Sequence, residues 1–526
     1  MNLTNTQFVF EGKTKRVLFG GMALGVLCLL LTFINDDEYH TRFWTNILHN
    51  SVYFTGIAFL AMFFMCAQIT AFAGWNTVIR RVYEAMGGFM GVGLILMAII
   101  TLGVWGHFHH LYHWNDPNVN VTDPAAPHYD RIIAGKKGFL NPVFYTIAAM
   151  GFLGLWYFWY RNVRKLSIAQ DTEETASFDY YKKIRRWSAS FLPIGGFLSP
   201  VFIWLVMMSI DPHWYSTMFA WYSTASVWLG SIALTILLII FLKSRGYMEY
   251  VGPDHLHDMG KFMFGISVFW TYLWFDQFML IWYANNGEET IYFNERMTHY
   301  PVLFWGNLLM NFVAPFFILM RNDTKRKLGT MFFVALIVFF GHWWDYFYMI
   351  KPGARIAAFE AKELAEGGHH SSKSREAAPI SDAAAHHDDA SHDAPQHEDA
   401  AVSHAAADHQ SDNAASKSAE TAVAAAPAPS PADHADHGGG GGHDDGHGHG
   451  TGGGEPSGFR LGFTIPGLED IGTMIGFLSL FLFFFFRQLE RVSLVPHKDP
   501  FLEESLHHET GALIETELEA KGHAHH

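Results

Sequence analysis

The sequence predicts an all-α integral membrane protein with ten transmembrane helices. Three observations predict it: ten apolar runs recur along the chain, charged residues collect between them, and bases follow alternate runs. Each run approaches the roughly 20 residues needed to span about 30 Å of hydrocarbon. A chain of 526 residues that is 50% hydrophobic and 16% aromatic could be a large soluble protein. The segregation of its charges excludes that reading.

Span one, 17–34, carries no charge between Val17 and Ile34 and follows Lys13, Lys15 and Arg16. Asn35, Asp36, Asp37 and Glu38 come next instead of a small-residue cleavage site, so it reads as a retained helix and not a signal peptide. Span two, 46–73, lies within a charge-free run from Phe43 to Ile79 and precedes Arg80 and Arg81. Span three, 85–107, opens onto a long 107–138 connection rich in His, Asn, Asp and Pro. Span four, 139–160, precedes Arg161, Arg164, Lys165, Lys182, Lys183, Arg185 and Arg186. Span five, 189–210, ends at a short 211–216 turn, and span six, 217–242, leads to Lys243, Arg245 and Lys261. Spans seven and eight, 262–283 and 300–320, are followed by Arg321, Lys325, Arg326 and Lys327. Span nine covers 328–350 and span ten 466–486. Bases favour the cytoplasmic side, so these loops place both termini inside and the 107–138 connection on the periplasmic side.

This gives a nine-span membrane domain over 1–350, an insert over 351–460, the tenth span over 461–487 and an acidic cytoplasmic tail over 488–526. The net charge of −15 is local, because residues 352–457 hold 18 acids against 5 bases. Ala, His, Asp, Gly and Ser dominate the insert, which should be a disordered periplasmic spacer for want of apolar surface to bury. Its 13 histidines have the chemistry to chelate copper, zinc or nickel. No basic groove for nucleic acid occurs. Cys28 and Cys66 are the only cysteines and both lie in apolar runs. No covalent haem motif and no iron–sulfur ligand set exist, so any redox centre must belong to a partner.

Titratable groups in hydrocarbon cost at least a few kcal/mol and mark functional candidates. Asp276 in span seven, and His342 and Asp345 in span nine, fall about 21, 21 and 25 Å along their helices from the cytoplasmic end, at about 1.5 Å per residue. All three therefore belong to the outer half. His342 and Asp345 are three apart and share a face, where a carboxylate can orient an imidazole. Rim candidates are His49 at the outer end of span two, His107, His109, His110 and His113 after span three, and Asp211 and His213 after span five. Each has an ordinary structural explanation as well: interfacial aromatics anchor membrane proteins, and an Asp before Pro commonly bonds turn backbone.

Four chemistries fit these residues unequally. Non-covalent haem needs two facing axial histidines, and only His49 and His342 are suitable; haem–copper chemistry needs a larger set within the spans. A secondary transporter would use broken helices, for which Pro200 and Pro315 qualify. A quinol site needs a few protonatable groups beside an aromatic, apolar pocket near one interface, and that matches best. A proton- or ion-coupled transporter and a purely structural anchor stand as alternatives.

The strings HHLYHW (109–114), HDMGKFMF (257–264), LIWYAN (280–285) and GHWWDYFYM (341–349) resemble the NrfD/polysulfide-reductase-type membrane subunits. More narrowly they resemble those of alternative complex III, a bacterial quinol:electron-acceptor oxidoreductase, and most of all the second of its two NrfD-type subunits. The resemblance covers spans one to ten, and leaves out the insert. It implies two four-helix bundles plus two extra helices, in the bacterial inner membrane. It also implies a quinol, expected as menaquinol, oxidised near the periplasmic face with no cofactor bound in this subunit. The implied partners are an iron–sulfur protein, a multihaem cytochrome c, the second NrfD-type membrane subunit and a terminal oxidase.

Overall fold

A computed structural model of the chain describes residues 6–125, 128–174, 178–365 and 458–509. The structure is 77% helical, with no strand among the described residues. The Ala/His/Asp-rich part of the insert from 366 to 457, expected to be disordered, lies outside the described residues, as do residues 510–526 of the tail.

Among the described residues, ten helical segments are long and apolar enough to cross a membrane: α1 (Gly12–Ile34), α2 (Thr41–Thr70), α3 (Gly74–Gly106), α4 (Pro142–Gln170), α5 (Phe178–Ile210), α6 (Met218–Ser244), α7 (Pro253–Ala284), α8 (Pro301–Leu319), α9 (Leu328–Ala365) and α10 (Leu468–Leu489). The chain is therefore a multi-pass membrane protein, and its apolar flanks face lipid.

The helices pack as two squares. In the first, α2 packs on α3 and α5, and α4 packs on both of those; in the second, α6 packs on α7 and α9, and α8 packs on both. The squares meet where α2 touches α6 and α9 and where α5 touches α6. The third helix of each square opens at a proline, Pro142 or Pro301, and then carries a π-helical turn, Ile147–Phe152 or Leu309–Val313. Similar connections and similar irregularities at matching positions make the two squares an internal repeat, which the sequence pattern did not reveal.

α1 and α10 are the two extra helices and lie antiparallel against each other. Apolar burial does little to hold helices together in lipid, so close backbone contact matters more. Gly21 and Gly25 on α1 face Ser479 and Gly476, while Gly472 faces Cys28. Small residues four apart on both helices form this seam. At the far end Leu494 N donates to Thr6 O, which joins the segment before α1 to the segment after α10.

Several helices outrun their apolar runs. α3 starts at Gly74, not near 85, because Arg80, Arg81 and Glu84 are buried and paired rather than loop charges. α9 continues through Lys351, Pro352 and Arg355 to Ala365, past the expected insert boundary at 351, and residues 458–460 are likewise described with the membrane domain. Charged residues end a hydropathy window without ending a helix when buried partners neutralise them.

The seam yields a prediction. A methyl at Gly25 would stand 2.5 Å from the Gly476 Cα, whereas nothing lies within 4 Å of one at Gly20. Gly476→Val should therefore destabilise by about 1–3 kcal/mol through overpacking. Thermal unfolding of the purified protein should register the drop, with Gly20→Ala unchanged.

Candidate functional site

The second square meets at one carboxylate. Each of its helices supplies a buried side chain: Tyr222 from α6, Trp270 from α7, Asn307 from α8 and Asp345 from α9. Tyr222 donates its hydroxyl to Asp345 Oδ1, which also accepts from Asn307 Nδ2 at 2.8 Å. Trp270 Nε1 donates to Oδ2 at 3.0 Å. Three neutral donors thus surround an acid that no Lys or Arg contacts among the described residues. Hydrogen bonds to a charged group are worth about 1.5–3 kcal/mol each, which offsets part of the cost of holding the anion in an apolar interior.

The π-helical turn of α8 aims the amides. Asn311 lies within it, donates to Gly341 O at 3.0 Å, and sits 3.4 Å from Asn307 Oδ1. Asn307 then presents its NH2 to the carboxylate. Such turns are rare and concentrate at functional sites. His342, one helical turn before Asp345, places Nδ1 3.0 Å from Ser226 Oγ and 4.0 Å from Asp345 Oδ2. Among the described residues its Nε2 is buried without a hydrogen-bond partner, as are Trp274 Nε1, Gln277 Nε2 and the Tyr348 hydroxyl on the same square. Toward the 211–216 turn, the buried Arg296 guanidinium lies 3.4 Å over the Tyr292 ring and 5.8 Å from that of Tyr348. Trp214 stacks on Tyr292 at 3.7 Å.

The other faces of α9 meet α2 and α10. His49 Nε2 contacts Trp343 O at 3.0 Å, and Trp343 Nε1 donates to Asn50 Oδ1. One turn and more beyond, the wholly buried Lys351 donates to Asn46 Oδ1 at 2.8 Å and pairs with Asp470 at 3.4 Å. Arg42 bridges Asp470 at 2.7 Å and Glu469 at 3.0 Å. Two cations face two anions, which joins α2, α9 and α10. His49 bonds α9 backbone while His342 faces α6 and α7, so the two histidines do not form a facing axial pair for haem.

The rim candidates separate by role. His107 caps α3 in the left-handed conformation, with φ of 51°. His109 is buried against Trp44 with Nε2 on Ile100 O at 3.1 Å, and burial pushes its pKa down to about 4. His110 bonds Asp116 at 3.0 Å. These three fasten the connection locally. Asp211 follows the last turn of α5, where Lys136 Nζ reaches Pro212 O at 2.6 Å. Asp276 does not join the Asp345 centre: it is half-buried on a face of α7 whose neighbours Tyr272, Met279 and Tyr283 are exposed, and it makes no hydrogen bond or ion pair among the described residues. Helical rotation puts Trp270, Trp274 and Gln277 inward instead.

His113 and His213 do come together, around an acid the sequence reading passed over. Asp130 Oδ2 sits 2.6 Å from His213 Nε2, and the His113 and His213 rings lie 5.6 Å apart. No metal ligand set was expected here from the sequence. The three residues nonetheless bring their ligand atoms within 4.8 Å of one another. Spacing could not show this, because Asp130 and His213 are 83 residues apart. Burial would raise the Asp130 pKa, but the His213 contact and helix amides overcome it and hold the acid down at about 2.

Near the start of α3, Arg80 pairs with Asp499 and Glu84, and Arg81 pairs with Glu84 and Asp171. Ser505 accepts from Val78 N, and His508 bonds Asp258 at 2.7 Å. The start of the tail is thus docked onto the membrane domain.

The chain matches no protein-family model and no curated protein.

The donor ring is testable through its indoles. Trp270→Phe removes one donor to Asp345 and should destabilise by about 1.5–3 kcal/mol beyond the loss of ring area. Trp274→Phe removes an N–H that has no partner and supplies the reference for that ring area. A larger fall in melting temperature for the first is the expected result.

Proposed function

We propose that this chain is a membrane subunit of a respiratory quinol:electron-acceptor oxidoreductase of the alternative complex III type, in a bacterial inner membrane. The observation that carries the reading is Asp345, a carboxylate held by donors from three neighbouring helices beside His342, whose Nε2 has no hydrogen-bond partner among the described residues. Oxidation of a quinol releases two protons and two electrons. His342 and Asp345 are the groups of this chain that accept and pass on the protons. The electrons go to iron–sulfur and haem c centres in partner subunits. The charge of the loops supports a position of this centre in the half of the membrane nearer the periplasm, and the Tyr348, Tyr292 and Arg296 row runs toward the 211–216 turn.

The pairing of squares and the aromatic lining of the centre support the family resemblance drawn from the four sequence strings. General-base groups contribute about 10²–10⁴-fold to rates. Asp345→Asn in the assembled complex should therefore lower menaquinol turnover by at least about 100-fold. Asp276→Asn, remote from the ring of donors, should retain most of it. Unimpaired turnover and proton release in Asp345→Asn would remove the assignment.

A proton-coupled transporter is the second reading, favoured by the internal repeat and its paired π-helical turns. Co-purification separates the two. Haem-bearing and iron–sulfur partners accompany a redox subunit, whereas a transporter isolates without them.

A further inference from the structure

We propose that His113, Asp130 and His213 form a binding site for a divalent transition metal of the zinc type, which clips the 107–141 connection to the 211–216 turn. This goes beyond the redox reading and does not depend on it.

The donor set is the right chemistry. Two imidazoles and one carboxylate are common zinc ligands, at about 2.0–2.2 Å each, with a fourth position left open for water. The ligand atoms already lie within 4.8 Å of one another. In a tetrahedral site of that bond length they would stand about 3.3 Å apart, so side-chain rotation of modest size closes the site. The present 2.6 Å contact between His213 and Asp130 is the hydrogen bond that the ion replaces.

The surroundings hold the ligands in place. Asp130 Oδ1 caps the helix Arg131–Lys136 by accepting from Ile132 N at 2.8 Å and Ile133 N at 2.9 Å, which leaves Oδ2 to face His213. Lys136 Nζ on Pro212 O pins the adjoining turn. His113 is buried, and the neighbouring Trp114 fixes its loop by donating to Ser209 Oγ at 3.1 Å. Glu360, on the extension of α9, stands 3.6 Å from His113 Nδ1. A carboxylate on one ring nitrogen is the usual outer-shell support of a metal-bound histidine, and its loss typically lowers affinity about 10–100-fold. The ion thus ties three parts of the chain: the connection after α3, the turn after α5 and the end of α9.

Zinc binding to the purified full-length chain, stripped with chelator and carrying no added histidine tag, tests this. Asp130→Asn is the informative variant, because Asn still caps a helix but supplies no anionic ligand. Wild type should hold one tightly bound zinc more than Asp130→Asn or His213→Gln, and zinc should raise the melting temperature of wild type alone. Glu360→Gln should bind about 10–100-fold more weakly. The histidines of 366–457 are present in every variant and contribute an equal background. Equal zinc content and equal thermal response in wild type and Asp130→Asn would overturn the proposal and assign all binding to that segment. A wild type with no thermal response to zinc would overturn it too.

Discussion

A single buried carboxylate organises the second half of this membrane domain. Asp345 lies where four helices converge, and each of the other three sends one donor to it. Lipid offers helices little hydrophobic reason to associate, so polar contacts of this kind carry a disproportionate share of the specificity. The π-helical turn in α8, the glycine at 341 and the inward rotation of Trp270 all serve the same geometry. A methyl at Gly341 would collide with Asn311, whose amide helps to aim Asn307. The result is an acid with three neutral donors and no cation among the described residues.

α9 is the beam on which both polar systems hang. One side carries His342 and Asp345 into the second square. Another carries Lys351 toward Asp470, Asn46 and α10. The contrast is informative: the Lys351 system balances two cations with two anions, as a buried electrostatic fastener must. The Asp345 system leaves polar atoms unpaired. A charge-balanced system and a neutral-donor system thus occupy different faces of one helix.

Much of the fold was legible because bilayer thickness imposes a length on every apolar run. Ten runs gave ten helices among the described residues. Helix ends were less legible: Arg80 and Lys351 look like boundary charges until their partners Asp499 and Asp470, far away in sequence, are known. The His342/Asp345 pair could be read from its spacing of three. Its donors could not, since Tyr222 and Trp270 pass for ordinary membrane aromatics; Asn307, an uncharged polar residue in an apolar run, was the one visible signal. Asp276 looked as promising as Asp345, and only helical rotation relative to the neighbours separates them. Asp130 sat in a loop whose acids and histidines form no motif, so its meeting with His213 needed three dimensions.

Infrared difference spectroscopy of the assembled complex tests the account's central claim most directly. Adding a quinol analogue should perturb a carboxyl C=O band that is missing in Asp345→Asn and preserved in Asp276→Asn. A difference spectrum that is identical in wild type and Asp345→Asn would contradict the claim that this carboxylate handles the proton.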